Sequence, residues 1–487
     1  MRVILAEKPS VAQSIAAVLG ADQKKNGYLQ GENDLVSWCI GHLIDLAPPE
    51  IYDARYAKWR REDLPIVPSA WESVVSDGTK KQFAVLKDLL NRTDVDEVVC
   101  ATDAGREGEL IFRMVYEKTG CTKPVKRLWI SSLEESAIRD GFRSLKPGTA
   151  YDALYRAALC RAQADWLVGI NGTRLYSRLY GTKLNVGRVM TPTLAMVAQR
   201  EKEIAAFQVE RFYTAQLSCG FPAQSGRIKT REEAERIRAS CHCKKAAVKQ
   251  IERRQKKEKP PKLYDLTALQ RDANRIYGYT AQQTLDYAQT LYEKKLATYP
   301  RTDSRFLTHD LRDRLPALIE CVAQVLPFAS GLPLAVHTQQ VIRDEKVSDH
   351  HAIIPTQNMT REALAQLPMG ERSILTLLAV RLLAATGEPC ETDEVTVTLD
   401  CEGHDFTAKG STVRQMGYRV FEETFRGSLG SRERKEQEYP IPPLEIGQMV
   451  GPVVATIREG QTTPPKRYTD VIFCERKEWI GIEERSS

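Results

Sequence analysis

The sequence lacks the features that mark membrane proteins, disulfide-bonded secreted proteins and small zinc modules. None of its 487 residues falls in an apolar run approaching the ~20 residues of a transmembrane helix, and the apolar start at residues 1–6 is too short for a signal peptide. Its 11 cysteines include no Cys-x-x-Cys pair, and Cys241-His242-Cys243 has no second ligand pair at zinc spacing. We therefore expect free thiols and a cytoplasmic location.

A strong charge of one sign and a nucleotide-binding loop are also missing. The net charge is only +6, from 70 basic and 64 acidic residues, so any nucleic-acid partner must be argued from the placement of individual arginines. No Gly-x-x-x-x-Gly-Lys-Ser/Thr stretch occurs, and we expect no bound nucleotide. The length and an apolar content of 42% indicate a globular protein of about three domains.

Strands and helices alternate through the first 150 residues, which predicts a mostly parallel α/β sheet. One apolar strand, residues 2–7, ends in Glu7, and a second, residues 96–103, ends in Asp103 with Glu107 four residues later. Because parallel strands present their carboxyl ends at one edge, these carboxylates form a predicted Mg²⁺ site. The alternative is that Asp103 and Glu107 are helix N-terminal acids favoured by the helix dipole.

A long helix is predicted over residues 149–176, with Arg161 and Asp165 one turn apart. A Gly-Arg turn at 187–188 then opens a second helix, where backbone N–H groups and Arg188 would bind a phosphate. These residues predict a groove for a single nucleic-acid strand. The alternative is a surface ion pair between Arg161 and Asp165.

The remaining chain divides into β-rich and helical parts. Alternating patterns predict half-buried strands at 211–217, 246–252 and 395–400, on either side of a helical module. The predicted segments are 1–150 (α/β), 151–210 (helical), 211–262 (β-rich), 263–388 (helical), 389–440 (β-rich) and 441–487 (helical again).

The stretch Tyr-Pro-Arg-Thr-Asp-Ser at 299–304 follows a predicted helix that ends in two lysines. We expect Tyr299 in a turn beyond that helix, as an exposed phenol. A phenol with a pKa near ~10 is a poor nucleophile at neutral pH, and Arg301 is suited to stabilise a phenolate or bind a phosphate. The alternative is a buried structural tyrosine. Two adjacent histidines further on, His350 and His351, point in different directions on any regular backbone, so they are poorly placed to bind one metal together. A histidine near a phosphate, as a hydrogen-bond donor or proton shuttle, is the more natural interpretation.

Residues 299–304 resemble the active-site motif of type IA DNA topoisomerases, closest to the topoisomerase III branch. Three other stretches match that family in the same order: 6–10 (Ala-Glu-Lys-Pro-Ser), 101–109 and 350–355. Gly105 stands where the family's Asp-x-Asp-x-Glu pattern has its second aspartate, and Met190 replaces a glutamine. The resemblance runs to about residue 470, and the family's final helices do not follow, so we expect a truncated chain that relaxes supercoiled plasmid poorly.

The resemblance implies a multidomain toroid built from an N-terminal Toprim parallel α/β sheet, helical domains and a β-rich domain. It implies ATP-independent cleavage and rejoining of one DNA strand through a 5′-phosphotyrosine, which relaxes negative supercoils or decatenates DNA. The residues it assigns are Glu7, Lys8, Tyr299, Arg301 and His350 for catalysis; Glu7, Asp103 and Glu107 for metal; and Arg161, Asp165, Arg174, Lys183, Leu184, Asn185, Val186, Gly187, Arg188 and Arg301 for DNA.

The implied cofactor is Mg²⁺, at one site, because Gly105 removes a ligand of a second. The implied partners are single-stranded DNA and a helicase, with the chain a monomer. Three rival interpretations remain: a remnant that only binds single-stranded DNA, a Toprim nuclease or primase that needs no tyrosine, and a non-catalytic DNA-binding protein.

Overall fold

The computed structural model describes residues 1–347, 350–430 and 441–469. Ser348 and Asp349, the last ten residues of the predicted segment 389–440, and residues 470–487 lie outside these ranges. Across the ranges that are described, no helix combines the length and the apolar character that crossing a membrane requires.

A seven-stranded sheet with parallel central strands forms the N-terminal part, as predicted. Its strand order is β2-β3-β4-β1-β7-β8-β9, and β5 and β6 pair separately. The strands are β1 (Arg2–Ala6), β2 (Gln23–Lys25), β3 (Tyr28–Gln30), β4 (Asp34–Trp38), β5 (Ile44–Leu46), β6 (Ser73–Val75), β7 (Glu97–Ala101), β8 (Val125–Arg127) and β9 (Lys146–Pro147). The helices are α1 (Pro9–Leu19), α2 (Pro49–Tyr52), α3 (Lys80–Leu90), α4 (Arg106–Thr119) and α5 (Glu135–Arg143).

The central position of β1 follows from its composition. Val3, Ile4, Leu5 and Ala6 are fully buried, and β1 pairs in parallel with β4 on one side and β7 on the other. An uninterrupted apolar strand of this kind is stable where both faces of a sheet are covered. The sheet therefore holds the carboxyl ends of β1 and β7 side by side.

Two helices, α6 (Asp152–Tyr180) and α7 (Met190–Ala205), follow the sheet. The first half of α6 packs on α4, and the loop between α6 and α7 returns along α6. Gly172 permits this approach, because a Cβ there would lie 2.8 Å from Val186 Cγ1. No residue of α7 is buried, and Leu194 on it is 67% exposed.

A second, antiparallel seven-stranded sheet has the order β15-β12-β13-β14-β11-β10-β16. Its strands are β10 (Arg211–Ser218), β11 (Pro222–Gln224), β12 (Ala246–Glu258), β13 (Cys390–Cys401), β14 (His404–Gln415), β15 (Met449–Val450) and β16 (Val454–Gln461), and α8 (Arg231–Cys241) packs against it. The basic run 253–259 lies on β12, where Lys256 and Lys257 pair with Glu394 and Glu391 of β13 at 3.4 and 2.9 Å.

The prediction that residues 441–487 return to the helical domain is wrong for 449–461. These residues form β15 and β16, and β16 pairs with β10 over its whole length, from Val454 opposite Ser218 to Gln461 opposite Arg211. Ala455 is buried and Ile457 half-buried on the same face of β16. This segment therefore supplies the edge strand that satisfies the backbone hydrogen bonds along one side of β10.

The helical module carries the largest apolar core. It contains α9 (Leu266–Tyr277), α10 (Ala281–Glu293), α11 (Leu315–Val325), α12 (Arg361–Gln366), α13 (Met369–Ala385) and the adjoining α14 (Arg419–Ser428). A capping box between Thr280 and Gln283 begins α10. This helix ends at Glu293, and the chain then turns towards the edge of the first sheet.

Candidate active site

The carboxyl ends of β1 and β7 bring Glu7 and Asp103 together, as the sequence predicts. Ala6 and Ala101 are paired at the ends of the two strands, and the backbone N–H of Asp103 donates to Glu7 Oε2 at 3.2 Å. Two carboxyl groups from distant parts of the chain thus meet at one edge of the sheet.

A buried arginine fixes the backbone that carries Asp103. Arg127 is 1% exposed, and its guanidinium donates to the carbonyls of Thr102 and Asp103, both at 2.7 Å. Its Nε lies 2.6 Å from Glu109 Oε1, an ion pair from which water is almost excluded. The first turn of α4 packs closely against the same backbone. Glycine is required at position 108, because a Cβ there would lie 2.0 Å from the Asp103 carbonyl oxygen.

The environment of the two carboxyl groups raises the pKa of both. Desolvation, followed by the charge of Asp103, raises the pKa of Glu7 to about 7. Desolvation also raises the pKa of Asp103, although Lys8 and a hydrogen bond from Tyr299 oppose it. A carboxyl group with a pKa near neutrality can accept or release a proton at physiological pH.

We predict that Glu7→Gln stabilises the metal-free protein above pH 7 and not at pH 4. Between the ordinary pKa of 4.5 and the folded value of about 7, the unfolded chain releases this proton while the folded chain retains it, so stability falls as pH rises. Glutamine cannot ionise. Thermal unfolding in EDTA should show a difference in Tm that grows across this window and then levels off, and a difference that is constant from pH 4 to 8 would contradict the shift.

Tyr299 faces this carboxylate pair, but it is buried and not exposed as predicted. Its side chain is 7% exposed, and its ring packs against Tyr292 and His350 with centroids 5.3 and 4.3 Å away. The prediction failed because the turn after α10 lies against the first sheet, where the N–H of Tyr299 donates to the Ser131 carbonyl at 3.1 Å.

The hydroxyl of Tyr299 hydrogen-bonds the Asp103 carboxylate. Desolvation, followed by the charges of Asp103 and Glu7, raises the pKa of Tyr299 well above its ordinary value, and Arg301 lowers it. The phenol is therefore neutral at rest. A carboxylate already in contact with its proton is the natural base for activating it.

Two cations complete the group. Arg301 is half-buried, and its charge acts on Glu7, Asp103 and Tyr299. Lys8 precedes α1, and its ammonium lies 3.3 Å from Glu293 at the end of α10. Both cations therefore lie close enough to Glu7 and Asp103 for their charges to lower the pKa values of these carboxyl groups, and the charge of Arg301 also reaches Tyr299.

His350 lies beside Tyr299 and is 4% exposed. Its Nδ1 is 3.0 Å from Ser131 Oγ, and its ring stacks on Trp129 with centroids 6.4 Å apart. Desolvation and the charge of His351 lower the pKa of His350 to about 3, although the Ala104 carbonyl opposes this shift. The imidazole is therefore neutral at physiological pH.

Glu107 is directed towards His42, a residue that was not predicted to belong to the site. Its carboxylate lies 3.5 Å from His42 Nε2, and the hydrogen bond between them raises the pKa of His42. Desolvation opposes ionisation of Glu107, but His42, Arg106 and Arg161 outweigh it and lower its pKa.

Within residues 1–347, 350–430 and 441–469, no three His, Cys, Asp or Glu side chains form a metal-binding cluster. The predicted three-carboxylate set is therefore not assembled, and Glu7 and Asp103 remain as a pair.

A group of arginines lines α6 next to this edge. Arg188 pairs with Asp165 at 2.7 Å, and the charge of Asp165 also acts on Arg161. Desolvation and the positive charges of Arg106 and Arg188 lower the pKa of Arg161. Neighbouring guanidinium groups that repel each other are suited to share a phosphate.

The loop 183–188, which leads to the predicted phosphate site at the start of α7, is fixed by hydrogen bonds to side chains of α6 and α7. The backbone N–H groups of Leu184, Val186 and Gly187 donate to Ser177, Thr173 and Thr191 side chains, so they are not directed outward. Lys183, Leu184 and Asn185 are exposed at the surface.

Arg174 does not fit the predicted DNA contact. It is 5% exposed, donates to the Tyr56 carbonyl at 2.8 Å and lies over the Trp59 ring. It therefore fixes the segment after α2 against α6.

The missed residues share a long sequence separation from their partners. Arg127 ends β8, and Trp129 and Ser131 follow it. This strand is parallel to β7, so it reaches the same edge as β1 and β7. Glu7 and Asp103 were identified because side chains at the carboxyl ends of parallel strands meet at one edge of a sheet, and the same reasoning would have identified the residues after β8. His42 carried no comparable signal, because its partner is 65 residues away on α4.

Two family models and several curated relatives match most of this chain. A family model described as DNA topoisomerase matches residues 149–475, and one described as Toprim domain matches residues 2–133. A DNA topoisomerase 3 of Bacillus cereus is 41% identical over 98% of this chain, and that of Bacillus subtilis (strain 168) is 41% identical over 96%. The chain spans 67% and 66% of the length of these relatives.

A solved structure shares the fold. Full-length topoisomerase I from Thermotoga maritima superposes with a TM-score of 0.75 and 24% identity, over all of this chain and 76% of its own. The predicted combination of a Toprim sheet, helical domains and a β-rich domain is thereby confirmed. With the family match over residues 149–475 and the identity to the Bacillus enzymes, the chain belongs to the type IA DNA topoisomerases.

Proposed function

We propose that this protein cleaves and rejoins one strand of DNA through a covalent bond between Tyr299 and a 5′-phosphate. The observation that carries the proposal is the hydrogen bond of the buried Tyr299 hydroxyl to Asp103, beside a second carboxyl group with a pKa of about 7 and the cation of Arg301. A phenol, a base and a cation for the phosphate are the parts that phosphoryl transfer to tyrosine needs.

In the cleavage step, the Tyr299 oxygen attacks the phosphorus and its proton passes to Asp103 or Glu7. The bond from phosphorus to the 3′-oxygen breaks, and Lys8 donates a proton to that oxygen. Arg301 stabilises the phenolate and the charge on the phosphate. His350, neutral at physiological pH, donates a hydrogen bond to a phosphate oxygen.

Rejoining reverses these transfers. The free 3′-hydroxyl attacks the phosphotyrosine, Lys8 accepts its proton, and the carboxyl pair returns a proton to Tyr299. The covalent bond conserves the energy of the phosphodiester, so neither step needs a nucleotide. Relaxation of negative supercoils or decatenation, with passage of another strand between the steps, is the activity we propose for the whole protein.

Glu7 and Asp103 fit one Mg²⁺ ion. Two adjoining carboxyl groups whose pKa values are raised would be relieved by a divalent cation, and Mg²⁺ typically binds one or two carboxylates with water and phosphate oxygens. When bound, it would neutralise the pair and hold the strand's phosphate. Because Glu107 contacts His42, we assign it to positioning His42 rather than to this site.

The strand would approach along α6, with Arg161 and Arg188 on its phosphates and Asp165 orienting Arg188. The exposed part of the loop, residues 183–185, adjoins this path. Tyr299 and His350 are both buried between the first sheet and the helical module. The strand can therefore reach the tyrosine only when these two parts move apart, which breaks contacts such as Lys8 with Glu293.

Trapping with a labelled single-stranded oligonucleotide tests the proposal. After denaturation, a label at the 3′ end should stay on the protein, because the 5′-phosphate of the downstream fragment forms the bond. A label at the 5′ end should appear on a free fragment that ends in a 3′-hydroxyl. Cleavage without a protein adduct would favour a nuclease, and binding without cleavage would favour a DNA-binding protein.

The arginines give a prediction about salt. Affinity for a single strand should fall with salt at about −0.7 per phosphate contact on a log–log plot, and Arg161→Ala or Arg188→Ala should each flatten the slope by one contact. Arg238→Ala on α8, which removes an exposed arginine paired with Glu235, is the matched control and should leave the slope unchanged. If the salt-dependence slope is the same in all variants, neither Arg161 nor Arg188 contacts a phosphate of the strand.

Gly105 gives a prediction about metal. No heavy atom lies within 4 Å of an added Cβ there, and its φ of −179° is extended backbone, so aspartate fits without strain. If this side chain adjoins the ion, Gly105→Asp should lower the Mg²⁺ concentration for half-maximal religation, whereas Gly105→Ala should not. If both variants have the same Mg²⁺ titration, residue 105 does not lie near the metal.

We further propose that the protein acts as a monomer in the cytoplasm, on single-stranded DNA, with a helicase as the class of partner that supplies single strands.

A further inference from the structure

Ser131 contacts both residues that lie at the proposed reaction centre. Its hydroxyl oxygen is 3.0 Å from Nδ1 of His350, and its backbone carbonyl accepts the N–H of Tyr299 at 3.1 Å. Ser131 lies in the segment that follows β8 of the first sheet, whereas Tyr299 and His350 come from the helical module. A single residue thus links the tyrosine, the histidine and the domain that carries the carboxylates.

The other nitrogen of the His350 ring has no such partner. Nε2 is buried and, among the residues that the structure describes, makes no hydrogen bond of good geometry, although the Ala104 carbonyl is close enough to favour the protonated ring. A buried polar atom without a partner is costly and calls for an explanation. The ring packs against Tyr299 and Trp129, with centroids 4.3 and 6.4 Å away, and these contacts restrict its rotation.

The partner on Nδ1 decides what Nε2 can do. A neutral imidazole carries one proton, and the nitrogen that accepts a hydrogen bond leaves the proton on the other. If the Ser131 hydroxyl donates to Nδ1, Nε2 carries the proton and is a donor. If Nδ1 donates to Ser131, Nε2 is a bare acceptor, which would repel a phosphate oxygen.

We propose that Ser131 is a positioning residue that donates its hydroxyl hydrogen to Nδ1 of His350 and so keeps Nε2 protonated to bind a phosphate oxygen of the strand attacked by Tyr299. This inference rests on the proposed function. Because the two side chains come from different parts of the fold, the tautomer is set only when the first sheet and the helical module are together. His350 is therefore ready to donate to the phosphate only after the two parts have closed again on a strand that entered while they were apart.

A double-mutant cycle tests the assignment. Ser131→Ala should lower the single-turnover rate of oligonucleotide cleavage about 10-fold, as expected for one hydrogen bond to a polar group, and Ser131→Thr should restore it to within about threefold because the hydroxyl returns. In a His350→Ala background, Ser131→Ala should change the rate by less than about twofold, since its effect passes through the imidazole. Ser132→Ala, whose hydroxyl contacts Glu134 instead, is the matched control.

Several outcomes would overturn the proposal. Effects of Ser131→Ala and His350→Ala that multiply would show that the serine does not act through the histidine, and a wild-type rate for Ser131→Ala would show that it does not act at all. Oligonucleotide affinity and Tm, measured alongside, should be unchanged, since the contact to Tyr299 uses the backbone. If the unmodified protein itself forms no adduct, the proposed function fails and this inference with it.

A measurement on the unmodified protein reports the tautomer directly. With ¹⁵N-labelled histidine, the protonated and unprotonated ring nitrogens of His350 resonate far apart, and the signals are assigned by their loss in His350→Ala. The proposal requires the proton on Nε2 at neutral pH. A proton on Nδ1 would overturn it even if the serine variants were to misfold.

Discussion

Tyr299→Phe should abolish the covalent protein–DNA adduct and leave single-strand affinity within about threefold of the unmodified protein. The change removes one oxygen, which is the whole nucleophile but contributes only ~1 kcal/mol as a hydrogen-bonding group. The phenyl ring retains its packing against Tyr292 and His350, so the fold is preserved. Denaturing gels with a 3′-labelled oligonucleotide measure the adduct, and fluorescence anisotropy measures the affinity.

Tyr292→Phe is the matched control for this experiment. Tyr292 is also buried, and its ring contacts the Tyr299 ring edge-on at 5.3 Å, so the same atom is removed from a neighbouring phenol. This variant should still form the adduct. Recovery of an adduct from Tyr299→Phe would show that another side chain is the nucleophile.

Arg127→Met should destabilise the protein by about 3 kcal/mol, because it leaves the Glu109 carboxylate buried without its main counter-ion. The value lies at the lower end of the range for broken buried pairs, since Arg113 also approaches Glu109, at 3.4 Å. The lost bonds to the Thr102 and Asp103 carbonyls should loosen the backbone beside Glu7, so cleavage should fall as well. Chemical denaturation measures the first effect and adduct formation the second.

Two further variants separate the ion pair from its surroundings. Arg127→Met with Glu109→Leu should recover part of the lost stability, because no buried charge remains. Arg139→Met, which breaks an exposed pair with Glu135, should cost less than about 1 kcal/mol. A loss below about 1 kcal/mol for Arg127→Met would mean that Glu109 takes up a proton or water, and that the arginine does not hold the site together.

The parts of the site that could be predicted from the sequence are those at the ends of strands. Apolar strands that end in Glu7 and in Asp103 predict their own meeting point, because parallel strands end at the same edge of a sheet. The same applies to Tyr299 and Arg301, because their spacing of two residues predicts that the charge of the arginine acts on the phenol, as it does in the structure. These inferences need only local pattern and one topological rule.

The parts that could not be predicted depend on contacts between distant segments. The burial of Tyr299 arises from a turn that packs on Ser131. Glu107 on α4 contacts His42, which lies in the loop between β4 and β5. Arg174 has the same local pattern as an exposed arginine, yet Trp59 and Tyr56 cover it. Within residues 449–461, β16 is stabilised as a strand by its pairing with β10. That pairing could not be predicted from the segment's own sequence.

Mass mapping of the trapped adduct tests the central claim most directly. The unmodified protein is incubated with a single-stranded oligonucleotide, denatured, and digested with nuclease and protease before the peptides are sequenced by mass spectrometry. The proposed function predicts a nucleotide joined through its 5′-phosphate to Tyr299, and to no other residue. A nucleotide on Tyr292, on Ser304 or on any other side chain, or no modified peptide at all, would contradict it.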